Sequence, residues 1–171
     1  MQQGDYVKTL IVYDSVYHNT EKIALAIGTA FPAGSVKVLK AGAVHKSDLE
    51  GVNLFIVGSP TQGGRATQAL QTFFGEIPEK GLKNVAIAAF DTRMTGEKNS
   101  RAMRMFVKLF GWAAGRIAET LKSKGGNLIV SPEGFIVEGR KGPLKAGETE
   151  RAAAWGKQIF IKLQSSRLIA S

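Results

Sequence analysis

Short hydroxyl and amide side chains gather in one loop near the start of the chain: Ser15, Asn19 and Thr20, with Tyr17 and His18 between them. The loop precedes a segment of helical periodicity, and the unpaired N–H groups and positive dipole end of a helix attract anions. One such residue would be explained as a helix cap, but three exceed what capping requires. The glycine-rich phosphate motifs of ATPases and of dinucleotide-binding enzymes follow no predicted strand. The sequence therefore predicts a phosphate site in a glycine-free loop.

Two later loops also combine residue types that could contact a ligand. The first is Pro60-Thr61-Gln62-Gly63-Gly64, and the second is Phe90-Asp91-Thr92-Arg93-Met94. Both follow apolar runs, as the hydroxyl-rich loop does. In an open α/β sheet, ligands bind at the carboxyl ends of the strands where the strand order reverses. We therefore expect these three loops to meet in one site.

The elements that position the loops are predicted by periodicity, because short apolar runs rich in β-branched residues alternate with longer segments of helical spacing. Near-continuous apolar runs are typical of parallel strands covered on both faces. The pattern predicts strands at Thr9–Tyr13, Val36–Leu39, Leu54–Val57, Val85–Phe90 and Leu128–Val130, and helices at Thr20–Ala30, Thr67–Ile77, Asn99–Lys124 and Glu148–Leu163.

The remaining segments give weaker signals. Residues 40–51 have poor helical periodicity, and the Gly/Pro-rich stretch Ser131–Gly147 is interpreted as a surface excursion between the fifth strand and the last helix. Residues 1–5 and 165–171 are predicted to be loose ends. Trp112 and Trp155 are predicted to pack in the core from their helices.

Length and composition indicate one globular domain spanning residues 1–171. The chain has 171 residues, of which 44% are hydrophobic and 22% charged, so a packed core is expected. The 23 basic and 14 acidic residues give a net charge of +9, which favours acidic partners. The absence of cysteine excludes disulfides and thiolate chemistry. No signal peptide or apolar run long enough to span a membrane is found, so a cytoplasmic protein without membrane insertion is expected.

The three loops resemble those of the flavodoxin family, through Ile11–Ala24, Gly58–Gly64 and Phe90–Met94. The resemblance implies a five-stranded parallel sheet in order 2-1-3-4-5, non-covalently bound FMN and electron transfer. It assigns the flavin phosphate to Ser15, Val16, Tyr17, His18, Asn19 and Thr20. It assigns the ring to Pro60, Thr61, Gln62, Gly63 and Gly64 and to Phe90, Asp91, Thr92, Arg93 and Met94. The chain departs from the family at Tyr17 and His18, and it lacks the usual ring-stacking Trp or Tyr.

Individual residues of the site allow more than one interpretation. Met94 is the best candidate to stack on the ring, because a thioether packs well on an aromatic face. Arg93 would favour the anionic reduced flavin if it lay beside the ring, or it would be a surface arginine paired with Asp91 or Glu97. His18 is either a pH-dependent phosphate partner or an exposed loop residue.

The basic charge is concentrated in residues 93–124, which contain eight basic and two acidic residues. Arg101, Arg104 and Lys108 are predicted to share one helix side, either as a docking surface for an acidic redox partner or as a solvated face. Nucleic-acid binding is disfavoured because no recognised module is present.

Two other functions share this fold. One is a flavin enzyme, either an NAD(P)H:quinone reductase or a protein like protoporphyrinogen oxidase. The other is a receiver-type signalling domain, which is disfavoured because Asp14 stands alone and Ser59-Pro60-Thr61 replaces the phosphorylatable aspartate.

Overall fold

The computed structural model describes residues 7–94, Arg101, Met105 and residues 111–170. The strands are β1 Thr9–Tyr13, β2 Val36–Lys40, β3 Leu54–Pro60, β4 Ala86–Met94, β5 Asn127–Leu128 and β6 Glu133–Val137. The helices are α1 Asn19–Gly28, α2 Lys46–Leu49, α3 Gln68–Glu76, α4 Ala113–Ser123 and α5 Glu148–Ala170, with a 3₁₀ turn at Ala41–Ala43.

The strands form one parallel sheet in the order β2-β1-β3-β4-β5. In the centre, Thr9 lies opposite Val36 on one side and Leu54 on the other. The predicted order 2-1-3-4-5 is therefore confirmed. Because β1 and β3 are neighbours while β2 lies outside β1, the strand order reverses at the carboxyl ends of β1 and β3.

The fifth position of the sheet is shared by two short strands. β5 pairs with the start of β4 at Ala86–Ile87, and β6 pairs in parallel with its end at Phe90–Met94. The interpretation of residues 131–147 as a surface excursion was wrong for 133–137, because Phe135 is fully buried in the core. Pro132 lies between the two strands, and a proline cannot donate a hydrogen bond to the ladder, so the strand is interrupted there.

The core has one apolar layer on each face of the sheet. One layer joins Phe55 and Ile87 to residues of α3 and α4, and the other joins Ile11 and Phe90 to residues of α1 and α5. In the second layer the rings of Phe90, Phe135 and Trp155 meet edge to face, with centroids 6.1–6.2 Å apart. The prediction that Trp155 is a core residue is confirmed.

Two helix predictions differ from the structure at their boundaries. The predicted helix Asn99–Lys124 does not continue through residue 111, where Gly111 has a φ of +67°, and α4 begins only at Ala113. Residues 95–100, 102–104 and 106–110 lie outside the described residues. At the other end, α5 continues to Ala170 and includes residues predicted to be a loose end. No helix in the described ranges is long and apolar enough to cross a membrane.

Candidate functional site

The three loops at the carboxyl ends of β1, β3 and β4 are joined through Thr92. The Oγ1 atoms of Thr20 and Thr92 are 2.9 Å apart and share a hydrogen bond. The backbone N–H of Thr61 donates to the Thr92 carbonyl at 2.9 Å. Thr92, which belongs to the third loop at the end of β4, therefore holds both the first and the second loop. The three segments singled out by sequence therefore lie together at the carboxyl edge of the sheet.

The first loop presents an uncapped helix N-terminus. His18 precedes α1 with a left-handed φ of +61°, and no side chain among the described residues caps the helix. Nearby, Ser15 is only 8% exposed and its Oγ has no hydrogen-bond partner. A buried hydroxyl normally has a partner, because leaving it unpaired costs free energy. Capping therefore does not explain Ser15, whereas an anion at the start of α1 would take bonds from both its hydroxyl and the free N–H groups.

His18 and Tyr13 share one carboxylate on the outer side of this loop. Glu21 accepts a hydrogen bond from the Tyr13 hydroxyl at 2.8 Å, and its other oxygen lies 2.6 Å from His18 Nδ1. The hydrogen bond with His18, followed by that from Tyr13, lowers the pKa of Glu21. Burial, together with the adjacent Glu21, raises the pKa of Tyr13 to about 12. The imidazole therefore faces Glu21, and its role as a phosphate partner stays a prediction.

The second loop is a tight turn. Gln62 and Arg65 exchange two backbone hydrogen bonds, and the residues between them, Gly63 and Gly64, have φ values of +55° and +75°. Positive φ at both central positions is the geometry of a type I′ turn, which favours glycine. Thr61 in turn accepts a hydrogen bond from the Ala113 N–H at 3.2 Å. The turn is thus held against the start of α4 while its glycine pair stays at the edge of the site.

The third loop contains a buried ion pair. Arg93 donates to the two carboxylate oxygens of Asp91, from Nε at 2.5 Å and from Nη2 at 2.8 Å. Asp91 also accepts the N–H of Ala114 at 2.8 Å, so it acts as a distant cap for α4. Burial raises the pKa of Asp91, although Arg93 opposes this shift. The guanidinium also stacks on Trp112, 4.4 Å from the ring centroid.

This arrangement shows which of the predicted ring residues have accessible side chains. Phe90 and Asp91 are fully inaccessible, so the side chains of these two residues support the site from within the core and beneath α4. Arg93 is paired with Asp91, which is one of its two interpretations from sequence. Trp112 was predicted to be a helix core residue, but it precedes α4 and stacks on Arg93. No local signal identifies this role, because the contact joins distant segments.

Three apolar side chains are exposed on the loops of the site. Val16 and Tyr17 in the first loop are 52% and 40% exposed, and Met94 at the end of β4 is 50% exposed. Met94 is therefore free to contact a bound molecule. Beside the second loop, a cavity of about 540 Å³ opens between α3 and α4. Its lining includes Arg65, Phe74, Trp112 and Arg116.

The family model described as Flavodoxin matches residues 11–155 of the chain. The chain belongs to the flavodoxin family. FMN is the cofactor of that family, and electron transfer is its function. The matched residues include the last three residues of β1, the hydroxyl-rich loop and both later loops, so the match covers all three loops.

Individual proteins show how the family relationship extends. "Putative diflavin flavoprotein A 5" from Nostoc sp. is 30% identical over 95 residues, which are 52% of this chain and 17% of that protein. This chain thus spans only a small part of that relative's length. A flavodoxin from the domain Archaea matches with a TM-score of 0.72 at 21% identity, covering 92% of this chain and 99% of the other. Rubredoxin oxygen:oxidoreductase from Desulfovibrio gigas matches with a TM-score of 0.69 at 23% identity. The match covers 92% of this chain and 36% of that protein.

The residues at the start of α1 fit the flavin phosphate. The unpaired Ser15 hydroxyl can donate a hydrogen bond, and the uncapped helix supplies N–H groups and a partial positive charge of about 0.5 elementary charge. If a side chain capped α1 and the Ser15 hydroxyl already had a partner, neither the helix N–H groups nor that hydroxyl would be available to a ligand. The flavodoxin-family site is therefore chemically suited to an anionic group at this end.

Proposed function

We propose that this chain is an FMN-dependent electron carrier that meets its protein partners at the carboxyl edge of the sheet. The observation that carries this proposal is the exposed apolar rim formed by Val16, Tyr17 and Met94. All three side chains lie on the loops of the site, where a partner could exclude water and approach the flavin. Exposed apolar side chains gathered at one site are typical of interaction surfaces.

The proposal gives each loop a defined task. Ser15 and the N–H groups at the start of α1 would hold the phosphate, while Thr20 fixes that loop to β4 through Thr92. The Gln62–Arg65 turn and Met94 would lie beside the ring. When bound, FMN supplies the capacity to take up and release electrons, which no side chain of the chain provides. The protein's part is to bind, orient and shield the cofactor.

Charge supports an acidic redox partner. The net charge is +9, and the segment 93–124 carries much of it. Arg101 is exposed, whereas Arg104 and Lys108, predicted to share its helix side, lie outside the described residues. Complementary charge speeds the encounter of two proteins more than it strengthens their complex. A cytoplasmic location stays a prediction.

Salt dependence tests the docking proposal. We expect the reduced protein to deliver electrons faster to an acidic blue-copper protein than to a basic c-type cytochrome at low salt. The first rate should fall and the second rise as salt increases, because surface charges are screened over about 10 Å at 0.1 M. Stopped-flow absorbance measures both rates. The same salt response for both acceptors would show that the basic charge does not steer partners.

A second candidate function is an NAD(P)H:quinone reductase, which the cavity beside the second loop favours. Its lining combines the rings of Phe74 and Trp112 with the cations of Arg65 and Arg116, which could receive an anionic or aromatic substrate. We expect the carrier to show no sustained turnover with NADPH and a soluble benzoquinone. Steady-state NADPH oxidation that saturates with quinone would support the enzyme instead, and Arg65→Ala should then raise its KM.

A further inference from the structure

A hairpin after β6 closes over the start of α1. Val137 and Leu144 form an antiparallel bridge, and the N–H of Glu138 donates to the Pro143 carbonyl at 2.9 Å. At the tip, the N–H of Gly142 donates to the Gly139 carbonyl at 3.0 Å. Residues 138–144 therefore form a defined loop, called here the 138–144 hairpin.

The hairpin contacts the phosphate loop directly. The side-chain amide of Asn19 donates to the Lys141 carbonyl at 3.2 Å, although the two residues are 122 positions apart. A Cβ atom on Gly142 would lie 2.8 Å from both Nδ2 and Oδ1 of Asn19, and Gly142 has a φ of +102°. Only glycine therefore allows the hairpin backbone to pack this closely on Asn19. The contact fixes the hairpin beside the first turn of α1.

The hairpin carries two cations beside the loop that precedes α1, where the carboxylates of the loop already have partners. Arg140 and Lys141 are exposed, and within the described part of the chain neither has a carboxylate partner. Glu138 is the hairpin's own carboxylate. Elsewhere around the loop, Glu21 is engaged by His18 and Tyr13, and Asp14 lies 3.9 Å from Lys40.

We propose that the 138–144 hairpin is part of the flavin phosphate site and that Arg140 and Lys141 bind the phosphate dianion, which strengthens the binding of FMN relative to riboflavin. This inference rests on the proposed function. The start of α1 offsets only about half an elementary charge, and a phosphate monoester carries about 1.5 to 2 negative charges at pH 7. Two cations on a fixed loop compensate the remainder, and the flexible stem of Lys141 gives its ammonium reach toward the helix start.

The test compares FMN and riboflavin binding to the full chain by titration of flavin fluorescence. At low salt, Arg140→Ala/Lys141→Ala should weaken FMN binding by about 5- to 30-fold and leave riboflavin affinity unchanged. The loss should shrink toward 0.1 M salt, because exposed charges are screened over about 10 Å there. Lys83→Ala/Lys157→Ala is the matched control. This control removes the same amount of charge at the other end of the sheet. Lys157 follows Gly156, which packs on Ile27 at the end of α1. The control should change neither the FMN nor the riboflavin affinity.

A second variant tests the placement of the hairpin without changing its charge. Gly142→Ala should push the hairpin away from Asn19 and weaken FMN binding, again without affecting riboflavin. Equal FMN affinity of the wild type and the Arg140/Lys141 double variant, with FMN still preferred over riboflavin, would overturn the role of the hairpin and leave the FMN-dependent function intact. Failure of the wild type to bind FMN would overturn both.

Discussion

Replacing Arg93 with alanine should lower the free energy of unfolding by about 3–5 kcal/mol, because it leaves a buried carboxylate without its partner. Asp91 is fully buried and the Arg93 side chain is only 16% exposed, so water can do little to replace the guanidinium. The variant also loses the stacking of Arg93 on Trp112. Urea unfolding at pH 7 measures the change. Arg65→Ala removes an exposed arginine nearby and should change stability by less than about 0.5 kcal/mol.

The loss of free energy of unfolding caused by Arg93→Ala should become smaller at acidic pH. Burial raises the pKa of Asp91 in the folded state, so the folded protein binds this proton more readily than the unfolded chain does. Protonation of Asp91 therefore stabilises the folded protein. This stabilisation is fully present below the ordinary pKa of aspartate, and it is lost as the pH rises through the raised pKa of Asp91 in the folded state. Removing Arg93 raises that value further, and a protonated Asp91 no longer needs a cation. A deficit that is the same at pH 4.5 and pH 7 would contradict a charged Asp91 as its cause.

The ion pair also bears on the flavin. From sequence, Arg93 could lie beside the ring and favour its anionic reduced form. In the structure the guanidinium forms a net neutral pair with Asp91, and the pair is directed at Trp112 and the start of α4. A neutral pair acts on a distant charge far less than a free cation does. We therefore expect Arg93 to stabilise the third loop more than it affects the charge of the reduced flavin.

Local sequence patterns predict those parts of the fold that depend on local physics. Buried parallel strands require near-continuous apolar runs, so all four strands from Thr9 to Phe90 were located, and the hydroxyl-rich loop was identified by its own residue types. The β6 strand was missed because Pro132, Gly134 and Gly139 resemble a loop. Gly134 is required for another reason: a Cβ there would collide with the guanidinium of Arg93 on the neighbouring strand.

Contacts between distant segments explain the other differences. The start of α4 is set by Asp91, which accepts the Ala114 N–H from 23 residues away, whereas the helical periodicity continues unbroken through Gly111. The hairpin over Asn19 depends on residues 122 positions later. Neither partner can be recognised from its own neighbours, so the local pattern places Trp112 in a helix and the hairpin in a surface excursion.

Ser15→Ala should have opposite effects on the protein without cofactor and on FMN binding. In the absence of a ligand, the variant removes a buried hydroxyl that has no partner, so stability should stay the same or rise by up to about 1 kcal/mol. With FMN, it removes a hydrogen bond to a charged group, worth about 1–3 kcal/mol, so FMN affinity should fall by about 5- to 150-fold. Riboflavin, which lacks the phosphate, should bind the variant and the wild type equally.

Thr9 supplies the matched control for this experiment. Its hydroxyl is also buried and without a partner, but it lies at the opposite end of β1 from the site. Thr9→Val should therefore leave FMN affinity unchanged, and its effect on stability should resemble that of Ser15→Ala. Isothermal titration with FMN and riboflavin, together with urea unfolding of the cofactor-free proteins, separates the two effects. If Ser15→Ala weakened FMN and riboflavin binding equally, Ser15 would not contact the phosphate, and the uncapped start of α1 would have to hold it alone.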